Sequence, residues 1–280
     1  NIKKLDDTEK KIKNEYDNFS NNYDKWITWM FKSFNENEKY QRNKIIKKIK
    51  IKKNFKVLEV GSGTGRDTIL LEKKIGRNGK LYVQDISEKM INILQKKFKS
   101  NKKIIPFISN SDQLPFKNEY FDVIYNFGSF NEFKNPSRVL KEFNRILKVN
   151  GKVLIADENV APWLKNTTYA KIIETNNSIF ERDFLPLKYI PYGTKNLNLS
   201  WEIGNCFYVI TYEKGKDFPK LNLDLKHDSL RGGSLRTRYF GKLEGIDPIL
   251  RNKFYKLAKK QNQNVSQILE KIIKKYIKIK

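Results

Sequence analysis

The sequence predicts an α/β fold: a seven-stranded, mostly parallel sheet with helices on both faces, followed by a small strand-helix-helix appendage. Three observations carry that expectation. Five short β-rich runs, at 57–60, 80–84, 104–109, 121–126 and 152–157, alternate with helical patterns at 66–74, 88–97 and 136–147. Strands spaced this way must be parallel, because each crossover needs about a helix's length to return to the same edge. Two further runs, 197–203 and 206–212, flank Gly204-Asn205, a two-residue hairpin signal that makes them an antiparallel border. Beyond residue 213 the strong periodicity lapses, which marks a change of domain.

The elements before and after this core follow the same rules. Residues 5–19, 24–33 and 38–51 read as three amphipathic helices, the first two with Tyr, Phe and Trp on one side. Residues 163–180 read as one helix. A linker is expected over 214–234, where Gly215, Pro219 and Gly232-Gly233 interrupt any pattern. Residues 235–243 alternate as a strand with Arg236, Arg238 and Lys242 on one side. Asp247-Pro248 then starts a helix, Asp as N-cap and Pro at the first helical position. After a break at 261–263, Asn264 with Gln267 supplies a capping box for a last helix.

Composition excludes several chemistries. Hydrophobic residues make up 39%, with 18 Phe, 14 Tyr and 4 Trp, enough for a packed core and against wholesale disorder. A lone Cys206 rules out a disulfide framework or a Cys-rich zinc site, and is expected to be buried and inert in its strand. His227, the sole histidine, falls in the expected linker and reads as exposed. No apolar run approaches the ~18 residues of a membrane span, and no signal-peptide core follows the basic N-terminus. The chain is therefore expected to be soluble and cytoplasmic.

Lys+Arg 57 against Asp+Glu 31 gives a net charge of +26. Only 10 of those cations are Arg, whereas nucleic-acid recognition leans on its planar fork. Much of the charge is thus background Lys. The excess concentrates at the ends, with a net +8 over 1–56 and +10 over 235–280.

The most informative segment runs Val57-Leu58-Glu59-Val60-Gly61-Ser62-Gly63-Thr64-Gly65-Arg66-Asp67, a strand, three alternate glycines and then a helix. Glycine permits the tight turn and lets a ligand lie on bare backbone at a helix N-terminus. Alone, such a turn serves a dinucleotide, a nucleoside or close packing. Glu59, two residues before the first Gly, would repel a pyrophosphate but suit an α-amino group. Asp85 ends the next strand twenty residues after Gly65, placed to accept both hydroxyls of a ribose. In isolation it reads as often as a helix N-cap; beside the glycine loop the ribose reading prevails.

With those residues in order, the chain resembles a class I S-adenosylmethionine-dependent methyltransferase, nearest in pattern to the ubiquinone/menaquinone-biosynthesis group, over about residues 10–213. Asn110-Ser111-Asp112-Gln113-Leu114-Pro115-Phe116 resembles the family's DAExLPF stretch, Phe121-Asp122-Val123-Ile124 its fourth strand, and Arg145 to Lys152 its RVLKPGG segment. The resemblance implies a Rossmann-like sheet over 56–213, N-terminal helices 1–55 covering the site, and S-adenosyl-L-methionine as cofactor. Carried over residue by residue, it assigns cofactor contacts to Glu59, Gly61, Ser62, Gly63, Gly65, Asp85, Ile86, Asn110, Ser111 and Asn126. Tyr16-Asp17 and Tyr23-Asp24 match a paired segment whose tyrosines cover the methionine end. Two departures matter. Asn110 replaces the family's usual acid, though its carbonyl still accepts from an adenine amino group. Phe130-Asn131-Glu132 stands where relatives carry a Leu-His-His segment, so no role of those histidines transfers.

Methyl transfer from a sulfonium is an in-line displacement that demands alignment and exclusion of water. Glu132 and Tyr23 are the catalytic candidates, and Asn126 and Gly128 are expected to border the sulfonium. Glu132 and Glu158, just after the fourth and fifth strands, could each act as a base, pair with a cationic substrate or sit as solvated loop acids, the last being the favoured reading of Glu158. Trp26, Trp163 and Trp201 are candidates for an acceptor pocket, with core packing the preferred reading. Tyr125-Asn126-Phe127-Gly128 lacks the Pro-Pro motif of base-amino methylation, and Cys206 lacks the Pro-Cys setting of cytosine chemistry.

Residues 235–280 resemble a ribbon-helix-helix module in layout. There Arg236, Arg238 and Lys242 would read the groove, and residues 264–266 would hold a phosphate. Homo-oligomerisation, a lid and DNA binding all remain open for this segment, oligomerisation foremost. The expected function is methyl transfer to a small-molecule acceptor. The alternative is a nucleic-acid-associated methyltransferase or cofactor-sensing regulator that binds DNA through residues 235–280.

Overall fold

The computed structural model describes residues 5–226, 228, 230, 233–239, 243 and 246–277. His227 and Lys242 lie outside the described residues. The chain divides after Phe218 into two compact units.

In the first unit, α1 (Asp7–Ser33) and α2 (Glu38–Lys48) precede a seven-stranded sheet. The strands are β1 (Lys56–Val60), β2 (Lys80–Asp85), β3 (Ile104–Ile108), β4 (Phe121–Phe127), β5 (Leu147–Glu158), β6 (Lys195–Glu202) and β7 (Phe207–Glu213). Their order is β3-β2-β1-β4-β5-β7-β6. The first five in that row are parallel and β7 is antiparallel to both of its neighbours, as the sequence predicts. Helices α3 (Thr68–Ile75), α4 (Glu88–Lys97) and α5 (Pro136–Ile146) make the crossovers. The chain reverses its direction of winding between β1 and β4, which opens a crevice at their C-terminal ends.

The strands bury both faces, so each carries a nearly unbroken apolar run. Val57, Val123 and Leu154 face the α1, α2 and α3 side with Phe31, Ile46 and Leu71. Leu58, Ile124 and Ile155 face the α5 side with Leu140, Phe143 and Ile146. Adjacent strand residues point to opposite layers, which accounts for the division.

Four expectations need correction. The first two predicted helices are one, because Ser20 satisfies its hydroxyl on the Asp17 carbonyl and the chain continues helical through Asn21 and Asn22. Residues 163–180 break into a 3-10 turn (Pro162–Leu164), α6 (Thr168–Asn176) and a second turn (Ser178–Glu181), capped by Thr167 and Asn177. The β6–β7 connection is four residues long, with Ile203, Gly204 and Asn205 all at positive φ. The predicted strand at 235–243 is helical over α7 (Leu235–Tyr239). Leu235 and Tyr239 lie four apart, a spacing that suits a helical turn as well as one face of a strand.

The second unit holds α7, α8 (Pro248–Lys260) and α9 (Val265–Ile277), with Asp247 capping α8 as expected. Asp224, assigned to a linker from sequence, ties this unit together. It accepts from Arg236 at 2.8 Å, from Gln267 at 2.8 Å and from Asn264. The DNA reading thus loses its strand over 235–239, and two of its named contacts, Arg236 and Asn264, are engaged with Asp224. Among the described residues no helix is long and apolar enough to cross a membrane.

Candidate functional site

The glycine loop leaves β1 with Gly61, Gly63 and Gly65 all at positive φ. Substitution at Gly61 is closed twice over, since a Cβ there would come within 2.1 Å of the Ser129 hydroxyl. The loop is held open by the neighbouring strand. Asp85, at the end of β2, accepts from the Gly63 N–H at 2.8 Å and from the Ser87 N–H at 2.9 Å. Each carboxylate oxygen keeps a further lone pair for a ligand hydroxyl. Burial raises the Asp85 carboxyl pKa, opposed by those backbone donors. Gln84 accepts from the Gly61 N–H and from the Ser111 hydroxyl, both at 3.3 Å, and donates to the Ser109 carbonyl.

Helix α1 roofs this crevice. Its residues 9, 16 and 23 recur every seven positions, two helical turns, and so share one face. Glu9, Tyr16 and Tyr23 all line a cavity of about 300 Å³ together with Gly61, Gly63, Asp85, Ile86, Asn110 and Ser111. The acids that follow the two tyrosines fasten the helix down. Asp17 accepts from the Ser87 hydroxyl at 2.5 Å and the Lys89 N–H at 3.2 Å, at the start of α4. Asp24 accepts from the Thr64 hydroxyl at 2.5 Å, inside the glycine loop, and pairs with Lys97 at 2.8 Å. Lys13, Ser87 and the Lys89 N–H hold the Asp17 carboxyl below its usual range against the opposing effect of burial.

Asn110 donates to Glu9, so a carboxylate from α1 stands beside the position where the family's own acid is missing. Sequence reasoning missed Glu9. Its seven-residue spacing from Tyr16 and Tyr23 was the available signal.

A second cavity, of about 330 Å³, adjoins the first. Tyr16, Tyr23, Gly61, Gly128 and Glu132 line both. Its remaining walls include Phe19, Trp26, Phe127 and Phe207, and the acids Glu59, Asp67, Asp157 and Glu158. Arg42 lies on its floor, over the Phe127 ring at 4.6 Å, bonded to Glu38 at 2.8 Å and Asp67 at 2.5 Å. Although burial alone would lower the Arg42 pKa, Asp67 and Glu38 carry it above its ordinary value. Glu59 accepts from the Thr68 hydroxyl at 2.6 Å; burial, reinforced by Asp67, raises its pKa well above the usual range.

The structure therefore divides the sequence-assigned residues. Tyr16, Tyr23, Gly61, Gly63, Asp85, Ile86, Asn110, Ser111 and Glu132 meet around the first cavity, whereas Glu59 and Ser62 line only the second. Gly65 and Asn126 line neither. A Cβ at Gly65 would strike Phe98 and Leu94, so this glycine serves the approach of α4. Asn126 is fully buried and donates to the Val60 carbonyl at 3.0 Å and the Ser129 hydroxyl at 2.6 Å, bracing the loop from beneath. Glu158 is 9% exposed and faces the second cavity, which corrects its reading as a solvated loop acid. Trp26 lines that cavity; Trp163 is 63% exposed and lies edge-on to Trp201 outside it. Cys206 is buried as expected, its thiol pushed up to about 11 by burial.

The residues present fit a nucleoside with a charged amino-acid tail. A carboxylate with free lone pairs, bare glycine backbone and Ser62, whose buried hydroxyl has no protein partner, line two cavities that share a wall.

Comparison with known proteins agrees with this geometry. Residues 4–173 match the ubiE/COQ5 methyltransferase family. A demethylmenaquinone methyltransferase of Staphylococcus carnosus is 35% identical over 142 residues, 50% of this chain and 57% of that protein. A ubiquinone/menaquinone biosynthesis C-methyltransferase of Wigglesworthia glossinidia brevipalpis is 38% identical over 106 residues, 36% of this chain and 42% of that protein. The chain thus spans about half the length of these curated relatives. Among solved structures, a Haemonchus contortus phosphoethanolamine N-methyltransferase in complex with phosphomonomethylethanolamine and S-adenosylhomocysteine superposes with a TM-score of 0.51. It is 12% identical, with 67% of this chain and 57% of that one covered, and shows the shared fold alone. With the family match extending over more than half its length, the chain belongs to the ubiE/COQ5 methyltransferase family.

Proposed function

We propose that this protein is an S-adenosylmethionine-dependent methyltransferase that acts on a small-molecule acceptor. One observation carries the reading: the cavity beside the glycine loop and Asp85 shares a wall of Tyr16, Tyr23, Gly61, Gly128 and Glu132 with a second cavity. S-adenosylmethionine, when bound, supplies a methyl group on a positively charged sulfur. Asp85 accepts the ribose hydroxyls, Glu9 and Asn110 face the adenine edge, and Ser62 and Glu59 face the amino-acid end. Tyr16 and Tyr23 close the roof and keep water from the junction, which a displacement reaction requires. Gly128, at φ 68° with open space where a Cβ would stand, leaves the path between the cavities clear.

The acceptor does not transfer from the relatives. Their names specify quinone precursors, but the family match ends at residue 173. Ile179, Arg182 and Phe207, which wall the second cavity, lie beyond that boundary.

Acceptor-dependent release of S-adenosylhomocysteine, measured beside calorimetric binding of S-adenosylmethionine, tests the reading. A wild-type chain that binds neither form of the cofactor would sink it.

A further inference from the structure

We infer that the second unit docks on an anionic lipid surface, with the apolar stripe of α9 entering the headgroup layer and the lysines around it meeting the lipid phosphates. This stands apart from the methyltransferase reading, because it concerns residues beyond the family match.

The stripe is set by spacing. In α9, Ile268, Leu269, Ile272, Ile273, Tyr276 and Ile277 follow one another by alternate steps of one and three, which places them on a single helical face. A face of that kind is ordinarily spent on a core. Here the core takes only its beginning. Among the described residues of this unit, Ala258 of α8 and Ile268 are the apolar side chains withdrawn from water. From Lys271 to Ile277 every residue of α9 is exposed, Tyr276 at 81% and Ile277 at 56%. Leu250 and Leu257 leave α8 with exposed apolar surface as well.

Charge decides what covers the stripe. Helices α8 and α9 carry seven Lys and one Arg against Glu270 alone, a net +7. Glu270 is spent on Arg236 at 3.4 Å, and among the described residues no acid pairs with any of those eight cations. A second copy of the chain would bring another +7 against the first. Nucleic acid would match the charge but leave the isoleucines in water, and a lone arginine offers few of the planar forks that suit bases and phosphates.

An anionic bilayer satisfies both features. Its acyl boundary accepts Ile272, Ile273 and Ile277, and Tyr276 suits the headgroup level. Lys271 and Lys275 border the stripe, so their stems lie along the apolar surface while their ammonium groups reach the phosphates. With 13 residues α9 is too short to span, and it lies along the surface instead.

The test is flotation of the whole chain with vesicles of phosphatidylcholine alone, or of phosphatidylcholine mixed equally with phosphatidylglycerol. Binding to the mixed vesicles is expected to be tighter by about 10-fold or more, and to weaken as salt is raised. The triple variant Ile272→Ser/Ile273→Ser/Ile277→Ser keeps the charge and should lower that binding by about 10-fold or more. Lys271→Glu/Lys274→Glu/Lys275→Glu should remove the preference for anionic lipid. All of these side chains are exposed, so both variants should keep the melting temperature and S-adenosylhomocysteine affinity of the wild type. The inference is overturned if the two kinds of vesicle bind alike, or if the isoleucine variant binds mixed vesicles as the wild type does. It is equally overturned if duplex DNA binds more tightly than mixed vesicles at the same salt, or if sedimentation shows a dimer that the isoleucine variant abolishes. Loss of S-adenosylhomocysteine binding by the wild-type chain would instead indict the methyltransferase reading.

Discussion

The two cavities share a wall but are built by different means. Much of the first is backbone, from the loop after β1 and the end of β2, with α1 pinned over it by Asp17 and Asp24. The second adds side chains from α1, α2, β1, β4, β5, β7 and the turn at Ser178–Glu181 to the edge of the same loop. A backbone cradle tolerates few sequences, because its φ angles admit little besides glycine. A side-chain pocket can be rewritten one residue at a time within the same fold. The first cavity is therefore fixed largely by backbone conformation, and the second by the choice of side chains.

Substitutions in the glycine loop, in the roof and among the buried acids sharpen this contrast. The largest effect is expected at Gly61. Gly61→Ala forces a Cβ into the Ser129 hydroxyl and strains a positive φ, at a cost of about 2–3 kcal/mol of stability with loss of cofactor binding. Gly128→Ala, with the same φ but open space, should cost about 1 kcal/mol. Equal melting temperatures for the two variants would break the account of the loop.

Next in size is the roof. Asp17→Asn weakens the bonds to Ser87 and Lys89 and should reduce S-adenosylhomocysteine affinity about 3- to 10-fold. An unchanged affinity would mean that α1 does not depend on this fastening.

The smallest effect is on stability, and its sign is specific. Burial, then Asp157, raises the Glu158 pKa well above the usual range. A raised carboxyl pKa favours the folded state at low pH, and that contribution is lost as pH climbs from the unfolded value through the folded one. Glu158→Gln should therefore melt about 2–4 °C above wild type at pH 8, with the gap closing toward pH 4. A gap that widened on acidification would contradict the buried placement of this acid beside Asp157.

The legibility of the sequence follows the same division. The sheet, its antiparallel border, the glycine loop and Asp85 were readable because each is a local pattern set by backbone rules. The Tyr-Asp pairs were readable by resemblance, and their spacing extends to Glu9 once α1 is seen to be continuous. Ser20-Asn21-Asn22 concealed that continuity, since polar residues that favour caps elsewhere are here carried through by packing on either side. Glu158 was misread because a residue just past a strand has the same local sequence whether it meets solvent or a cavity. Gly65 and Asn126 matched the motif in sequence, but brace the loop rather than line it. At the C-terminus, the role of Asp224 depended on Arg236, Asn264 and Gln267, twelve or more residues away.

One titration tests the division of labour most directly: S-adenosylhomocysteine added to the wild-type chain, to Asp85→Ala and to Glu158→Gln. The account predicts one site per chain in the wild type and an affinity about 100-fold weaker in Asp85→Ala, where two charge-assisted ribose bonds are lost. It predicts near-wild-type binding in Glu158→Gln. Binding that survives Asp85→Ala, or that fails in Glu158→Gln, would contradict the placement of the cofactor's ribose on Asp85 and of Glu158 outside the cofactor's contacts.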